Sequence, residues 1–252
     1  MIPALCIRCG ICGEVCPGNI AGPPAVTDGV DRNRCTLCGA CVEACPAEAR
    51  SLVGKRMSVT EVIAGVEKDR VFYEESGGGV TFSGGEPLLQ ADFLLACLRA
   101  CKDRGIHTAV DTCGYVPEAV LMEAAAHTDL FLYDVKHMDD ARHRTYSGVS
   151  NEVILENLKR LMDRGSDVWV RFPLIPGIND DEANLAAMAD FMASLKVSPV
   201  MNLLPYHRMG SGKYDRLGIP FLLKGIDAPA AEQVALVADR LMTSGVDVKI
   251  GG

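Results

Sequence analysis

Eight of the eleven cysteines lie within the first 45 residues, in two copies of one pattern. The pattern C-x2-C-x2-C-x3-C-P begins at Cys6 and again at Cys35, and a glycine follows its second cysteine both times. Thiolates at this spacing converge on a shared ligand, so the segment must fold as tight turns, to which glycine is suited. The start of the chain lacks the basic and then apolar layout of a signal peptide. In a reducing cytosol such cysteines indicate metal or cluster binding rather than disulfides.

The repeated spacing is that of the bacterial two-cluster ferredoxins, in which the last cysteine of each run binds the other cluster. The expected ligands are therefore Cys6, Cys9, Cys12 and Cys45 for one [4Fe–4S] cluster, and Cys35, Cys38, Cys41 and Cys16 for the other. A pair of zinc knuckles also uses four cysteines per metal, but the repeated Cys-Pro ending favours the ferredoxin pattern. With thiolate on every iron, these clusters transfer electrons and leave no open site for a substrate.

The composition is that of a globular protein, with 48% hydrophobic and 23% charged residues in a chain of 252. A length of this order suggests one large domain, or one plus a small one. The formal net charge of −8 argues against a nucleic-acid partner, which would require a basic surface. No apolar run approaches the roughly 18 residues that span a membrane. We therefore expect a cytoplasmic protein without nucleic-acid or membrane partners.

After the cysteine-rich segment, helices alternate with short apolar strands. Strands are predicted at 79–83, 107–111, 130–135, 167–174, 200–204 and 246–250. Helices are predicted at 58–73, 88–104, 117–127, 151–164, 181–195 and 230–243. This alternation predicts an α/β fold with a parallel sheet, either an open barrel or a doubly wound sheet. The expected domains are a ferredoxin-like domain over 1–52 and the α/β domain over 53–252.

Unusual residues follow the predicted strands, at the edge where parallel sheets bind ligands. TFSGGEP starts at position 81 and DTCG at position 111, and each comes at the end of a strand. Charged or titratable side chains lie toward the ends of the second to fifth strands or just after them: Asp111, Asp134, Lys136, Arg171 and His207. Two carboxylates, two cations and a histidine at one mouth suit a cation together with a zwitterionic or carboxylate-bearing small molecule.

In this order, GGEP, DTCG, LYDVKHMD, GVSN, VWVRFPLIPGIND and LLPYH resemble the activating enzymes of glycyl-radical enzymes. These enzymes belong to the radical S-adenosylmethionine superfamily, and the resemblance is strongest to the pyruvate formate-lyase activating enzyme-like members with a two-cluster ferredoxin insert. It covers essentially the whole chain. It implies a partial (β/α)6 radical-SAM barrel lacking its first strand, with a small two-[4Fe–4S] ferredoxin-like domain at the N-terminus.

The resemblance also implies contacts to the methionyl part of S-adenosylmethionine. Gly84, Gly85 and Glu86 are expected to meet its ammonium group. Asp111 and Asp134 are expected near its carboxylate, which in some members of the family is accompanied by a monovalent cation.

Three further roles follow from the same resemblance. Lys136 is expected to pair with the methionyl carboxylate as a point charge, and His207 to lie toward the adenosyl part. Arg171 is expected at the opening through which the glycine loop of a partner glycyl-radical enzyme enters. The electron donor implied is a flavodoxin or a ferredoxin, in an anaerobic cytoplasm.

Family members cleave S-adenosylmethionine reductively on a third [4Fe–4S] cluster bound by C-x3-C-x2-C, and the radical formed takes a hydrogen atom from the partner's glycine. This motif is absent from the 252 residues, so no catalytic cysteine is assigned. Cys97 and Cys101 have the first spacing, but Arg104 stands at the third position, and both cysteines are expected in a helix core. We expect that the sequence begins after the missing loop, that the third cluster belongs to a full-length form, and that the chain as written is inactive alone.

Two other functions remain open from the sequence. The chain could be an iron–sulfur electron-transfer or S-adenosylmethionine-binding protein without radical chemistry, or a non-functional fragment. Translation of the DNA upstream of Met1 separates these, because an in-frame strand with C-x3-C-x2-C supports the activating enzyme and a nearby in-frame stop contradicts it.

Overall fold

The computed structural model describes residues 1–22, 33–217 and 220–251. The chain divides into two compact units. One unit comprises Met1–Arg56 and Met209–Leu222, and the other comprises Met57–Arg208 and Leu223–Gly252. In the described ranges, no helix has the length and apolar character needed to cross a lipid bilayer.

The strands and helices alternate along most of the chain. The strands are β1 (Gly79–Phe82), β2 (His107–Thr112), β3 (Leu130–Asp134), β4 (Val168–Leu174), β5 (Val200–Pro205) and β6 (Val248–Ile250). The α-helices are α1 (Ile11–Glu14), α2 (Ala40–Glu43), α3 (Val59–Val66), α4 (Arg70–Ser76), α5 (Ala91–Lys102), α6 (Glu118–Ala125), α7 (Asp140–Ser147), α8 (Glu152–Arg164), α9 (Glu182–Ser194), α10 (Ser211–Leu217) and α11 (Ala231–Thr243). Short 3₁₀ helices lie at Pro3–Leu5, Glu67–Asp69, Pro87–Gln90 and Arg208–Gly210.

The two cysteine runs of the first unit fold with the same backbone geometry. Gly10 precedes α1 and Gly39 precedes α2, each with φ 84° and ψ −17°. This left-handed conformation costs a residue with a Cβ roughly 1–2 kcal/mol, which explains glycine at both positions. Arg8 and Leu37 take left-handed φ values of 57° and 56° despite their side chains. Strain at two matching positions indicates that each loop is held in a fixed shape around its cysteines.

The second unit contains one six-stranded sheet in which the strands lie in the order of the sequence, β1 to β6. Every neighbouring pair is parallel. Because parallel neighbours need a crossover connection, the segment between two strands has to return along the sheet, and helices fill these connections. The predicted α/β fold and its six strands are confirmed.

One face of the sheet forms the core with the helices, as β4 illustrates. Val170, Phe172 and Leu174 are fully buried, whereas Trp169 and Arg171 on the other face are half-buried. The buried face packs against α5, α6, α8, α9 and α11 in one apolar cluster. The opposite face is therefore where polar side chains of the strands are available to a ligand.

One predicted helix is divided in the structure, and four of the described α-helices, α1, α2, α7 and α10, lie outside the predicted ranges. The helix predicted at 58–73 is divided into α3 and α4 by the 3₁₀ turn Glu67–Asp69, and Asp69 leaves the helical region with φ −99° and ψ 9°. The start of α3 follows the expectation, since Ser58 and Glu61 form a reciprocal capping box. Helix α7 was not predicted, because its sequence is strongly polar and only His143 of it is buried.

Cys97 and Cys101 are completely buried in α5, as expected for core cysteines. Burial raises the pKa of the Cys97 thiol. Burial is also the main reason that the pKa of the Cys101 thiol rises to about 11, and the charge of the neighbouring Cys97 adds to it. Both thiols stay protonated at neutral pH, so they pack as small apolar side chains.

Candidate functional site

Four charged side chains meet where β2, β3 and β4 end. The sheet register places Asp134 beside Arg171. Arg171 Nη1 lies 2.7 Å from Asp111 Oδ2, and Lys136 Nζ lies 3.1 Å from Asp134 Oδ2. Ser83 Oγ, after β1, donates to Asp111 Oδ2 at 3.2 Å. All four charged side chains are between 24% and 42% exposed, so a ligand from solvent can reach them.

Asp134 carries an oxygen that nothing in the described chain satisfies. Its Oδ1 is buried and lacks a hydrogen-bond partner. Arg171 Nε lies 3.7 Å from it, beyond hydrogen-bond range. A buried carboxylate oxygen without a donor is unfavourable by about 1–3 kcal/mol or more. An ammonium group or a metal cation of a ligand would supply the missing partner.

The Tyr206 hydroxyl is the other buried side-chain oxygen without a partner among the described residues. It follows β5, at the same edge of the sheet, and its backbone N–H donates to Leu174 O at 3.0 Å. The next residue, His207, is exposed. Sequence reasoning selected His207 and passed over Tyr206, because a tyrosine beside a proline carries no signal of its own.

Glu86 fastens the loop after β1 to the end of β2. Its carboxylate accepts four hydrogen bonds: from Leu88 N (3.2 Å), Thr112 Oγ1 (2.8 Å), Cys113 N (2.9 Å) and Cys113 Sγ (3.1 Å). Burial is the main cause of a raised pKa at the Cys113 thiol, and the Glu86 carboxylate raises it further. The thiol therefore stays protonated and remains a donor. The preceding Gly84 and Gly85 are exposed, so their backbone is open to a ligand.

The DTCG loop after β2 is shaped by two residues that the sequence analysis did not select. A Cβ on Gly114 would lie 1.7 Å from the Tyr133 hydroxyl, so only glycine fits there. The Tyr133 hydroxyl donates to Ile154 O at 2.7 Å and is buried, which raises its pKa well above the usual value. Asn157 Nδ2 donates to Gly114 O at 2.8 Å and to Val116 O at 2.9 Å. The loop is thereby fixed against α8.

Asn179 joins the ends of β3 and β4. Its Nδ2 donates to Lys136 O at 2.9 Å and to Pro173 O at 2.6 Å, and its Oδ1 accepts from Ile175 N at 2.8 Å. Asn184 Nδ2 in turn donates to Asn179 O at 2.8 Å. Asn179 is completely buried. The backbone that carries Lys136 is thus held to the strand that carries the arginine of the site.

In the first unit, the cysteines of the first expected set surround one cavity: Cys6, Cys9, Cys12 and Cys45. Residues 1–22, 33–217 and 220–251 contain no group of three or more His, Cys, Asp or Glu side chains placed to hold a single metal ion. The Cys45 thiol has a lowered pKa, because backbone N–H groups of Ala49, Ala47 and Arg50 outweigh the effect of burial. Four thiolates around a cavity, with backbone donors on one of them, fit a cubane cluster.

The second set is brought together around Cys41. Burial raises the pKa of its thiol, and the charges of Cys16, Cys35 and Cys38 raise it further while Arg50 opposes them. Electrostatic coupling of this kind requires the thiolates to be neighbours. Cys16 itself has a lowered pKa, chiefly because the backbone N–H of Ile20 donates to it. Both expected ligand sets therefore have the surroundings that anionic clusters need.

Comparison with known families gives two overlapping matches. Residues 32–189 match the radical SAM superfamily, and residues 5–50 match the 4Fe–4S dicluster domain.

Comparison with individual proteins gives relatives that are longer than this chain, which spans about three quarters to four fifths of their length. The chain is 44% identical over 227 residues to the choline trimethylamine-lyase activating enzyme of Oleidesulfovibrio alaskensis, covering 88% of this chain and 73% of that protein. It is 40% identical over 250 residues to the trans-4-hydroxy-L-proline dehydratase activating enzyme of Clostridioides difficile, covering 98% and 82%. Among solved structures, a domain of pyruvate-formate lyase-activating enzyme from Bacteroides vulgatus matches with a TM-score of 0.60 and 38% identity, covering 69% of this chain and 99% of that one.

Proposed function

The chain belongs to the radical SAM superfamily, among the activating enzymes of glycyl-radical enzymes, and we propose which of its residues bind S-adenosylmethionine and which bind the iron–sulfur clusters. The activity of this class is the formation of a glycyl radical on a partner enzyme by reductive cleavage of S-adenosylmethionine. An electron-transfer or ligand-binding protein without radical chemistry, the alternative from the sequence, is not supported by these relatives.

The iron–sulfur cluster that ligates S-adenosylmethionine in this superfamily supplies the electron for its cleavage. Its C-x3-C-x2-C motif does not occur in the 252 residues, and none of them is assigned to it. The residues of this chain instead bind and orient the methionyl part of S-adenosylmethionine. Their roles follow from the charges at the ends of the strands.

Asp134 and Lys136 are assigned the main charged contacts at the methionyl part of S-adenosylmethionine. The unpartnered, buried Oδ1 of Asp134 is the observation that carries this proposal, because it marks where a cationic group is needed. Lys136 is 42% exposed and turns from Asp134 to the methionyl carboxylate. The backbone of Gly84 and Gly85 receives the methionyl ammonium, and Asp111 completes the negative side of the pocket.

Glu86, Arg171 and His207 take supporting positions. Glu86, with four donors on its carboxylate, holds the glycine loop in place toward the ammonium. His207 lies on the adenosyl side. Arg171 borders the opening for the partner's glycine loop, and its contact with Asp111 holds it there.

The first unit carries the two [4Fe–4S] clusters of the dicluster domain. We assign them the crossed ligand sets: Cys6, Cys9, Cys12 and Cys45 for one cluster, and Cys35, Cys38, Cys41 and Cys16 for the other. The shared cavity of the first set and the mutual coupling of the second support this assignment.

The partner is a glycyl-radical enzyme, since activating enzymes of this family act on such enzymes. The relatives named above suggest a lyase or a dehydratase. A flavodoxin or ferredoxin as electron donor and a cytoplasmic location complete the proposal, and both rest on the sequence alone.

Direct binding of S-adenosylmethionine tests the assignment of Lys136. Anaerobic equilibrium dialysis with labelled S-adenosylmethionine compares the wild-type protein with Lys136→Met. A hydrogen bond between charged groups contributes about 1.5–3 kcal/mol, so the substitution is expected to weaken binding by about tenfold to a hundredfold.

The matched control is Lys196→Met, which removes an exposed lysine after α9. It is expected to bind S-adenosylmethionine like the wild type. Equal affinities of Lys136→Met and the wild type would refute the proposed carboxylate contact.

A further inference from the structure

Arg50 is an exception among the charged side chains. Of the lysine, arginine, aspartate and glutamate side chains described in residues 1–22, 33–214 and 220–251, it alone is buried, with 7% exposure. Its Nη2 donates to Gly22 O at 2.6 Å. Removing a cation from water costs several kcal/mol unless negative charge or good acceptors surround it. The guanidinium is therefore held where acceptors such as Gly22 O, or negative charge, offset the loss of water.

The expected cluster ligands lie close to Arg50. Arg50 lines the same cavity as Cys6, Cys9, Cys12 and Cys45. Its backbone N–H is also among the donors to the Cys45 thiol. At Cys41, in the other ligand set, burial raises the thiol pKa and the Arg50 charge opposes that rise. One cation is thus close to ligands of both clusters.

The internal duplication shows that this cation is not part of the shared cluster-binding design. The two cysteine runs are 29 residues apart, as the pair Cys16 and Cys45 shows. Backbone N–H groups of 18, 20 and 21 approach Cys16, and those of 47, 49 and 50 approach Cys45. The backbone environment is therefore repeated, but the equivalent of Arg50 is Ala21. Only the second cysteine run is followed by a buried guanidinium at this position.

The other arginines whose side chains the structure describes in the first unit are exposed. Arg8 also lines the cavity, and Arg34 Nη2 lies 3.5 Å from Gly18 O, but both side chains face solvent. Salt and water screen such charges strongly, whereas a buried charge acts through a low dielectric constant. Among the described arginines of this unit, Arg50 is thus the one with the largest expected electrostatic effect on the clusters.

We propose that Arg50 sets the reduction potentials of the two clusters by stabilising their reduced state. A cluster with four thiolates is a net anion, and the electron that it accepts from a reductant such as dithionite makes it more negative. A buried cation stabilises this reduced state more than the oxidised one and raises the potential. The inference rests on the proposed cluster ligation, but not on any chemistry of S-adenosylmethionine.

A redox titration of the reconstituted protein tests this role. Wild type, Arg50→Gln and Arg50→Lys are titrated anaerobically with dithionite, and the reduced clusters are quantified by electron paramagnetic resonance. At a fixed potential, Arg50→Gln is expected to lower the reduced fraction severalfold. A tenfold change corresponds to 59 mV for one electron. Arg50→Lys keeps the charge and is expected to remain near the wild type.

Arg34→Gln is the matched control, since it removes an exposed arginine of the same unit, and its titration is expected to follow the wild type. If Arg50→Gln retains both clusters and titrates like the wild type, Arg50 only fastens the backbone at Gly22 and the proposal is overturned. If Arg50→Gln fails to assemble its clusters, Ala21→Arg provides the reverse test. This variant is expected to raise the potential, and an unchanged titration overturns the proposal.

The same measurements separate this proposal from the ligand assignment. Wild-type protein that takes up no clusters would overturn both. A normal two-cluster spectrum with unshifted potentials would overturn only the role of Arg50.

Discussion

Gly114 is the residue at which a single methyl group has the clearest expected effect. Its φ is +69°, and a Cβ there would overlap the buried Tyr133 side chain. Left-handed strain and overpacking each cost about 1–3 kcal/mol, so Gly114→Ala is expected to lower the free energy of unfolding by about 3 kcal/mol or more. Urea unfolding followed by fluorescence of Trp169, the single tryptophan, reports on this unit.

Gly148→Ala is the matched control for that substitution. Gly148 has φ +82°, but no atom lies within 4 Å of its added Cβ. Only the backbone strain remains, so the expected loss is about 1 kcal/mol. Equal losses in the two variants would show that contact with Tyr133 does not restrict the loop.

His137 links the stability of the second unit to pH. It is 3% exposed, its Nδ1 accepts from Asp139 N at 2.9 Å, and its Nε2 lies 3.1 Å from Ile178 O. Burial, the largest effect, lowers its pKa below the usual 6.5. The unfolded chain therefore binds the proton more readily, so protonation favours unfolding. The contribution of the neutral, buried His137 to the free energy of unfolding is complete above about pH 6.5 and is lost as the pH falls through the lower pKa of the folded state.

Urea unfolding between pH 5 and 8 checks this sign. The wild type is expected to lose stability below about pH 6.5, and His137→Gln, which does not titrate there, is expected to show a smaller slope. Identical slopes for both proteins would contradict the role of His137.

At the scale of elements, the sequence predicts those that have their own apolar pattern. All six strands could be predicted, because each is a short apolar run bounded by turn residues. Helix α7 could not be predicted from apolar periodicity, since only His143 of it is buried and polar contacts hold it instead. Its cap Asp139 accepts from Arg142 N, and Asp140 binds Ser150 and Arg144. The apolar periodicity of a sequence does not reveal such polar contacts.

The asparagine that joins β3 to β4 gives the prediction at this scale. Asn179→Ala leaves the carbonyls of Lys136 and Pro173 and the N–H of Ile175 without their partner. The expected loss of unfolding free energy is about 3 kcal/mol. Because the backbone of Lys136 is released, binding of S-adenosylmethionine should weaken as well.

Asn157→Ala provides the comparison, because Asn157 is also buried and donates to two carbonyls, but it holds the loop after β2. It should lower stability by a similar amount and affect S-adenosylmethionine binding less. An equal effect of both variants on binding would mean that general loss of stability, and not the position of Lys136, weakens the site.

At the scale of the whole molecule, the sequence identified the charged residues that meet at the candidate site better than the residues that position them. Asp111, Asp134, Lys136 and Arg171 are evident because charge within or just after an apolar strand is unusual. Their supports are buried asparagines and a tyrosine whose partners are distant in sequence, such as Asn179 and Lys136, 43 residues apart. Such pairs depend on the register of the sheet, which the sequence does not reveal.

The crossed cluster ligation can be tested with two double variants. In the crossed arrangement, Cys6→Ala/Cys45→Ala damages one cluster, so about four of the roughly eight iron atoms per chain should remain. Cys6→Ala/Cys16→Ala damages both clusters and should leave almost none. If each run bound its own cluster, the two results would be exchanged. Iron analysis after anaerobic reconstitution distinguishes the arrangements.

An anaerobic crystal structure with S-adenosylmethionine tests the central claim most directly, namely that the ends of β1 to β5 bind its methionyl part. The expected result is the methionyl carboxylate within hydrogen-bond distance of Lys136 Nζ, the ammonium at the backbone of Gly84 and Gly85, and a cationic partner at Asp134 Oδ1. A methionyl group bound elsewhere, with the contact between Lys136 and Asp134 unchanged, would contradict the claim.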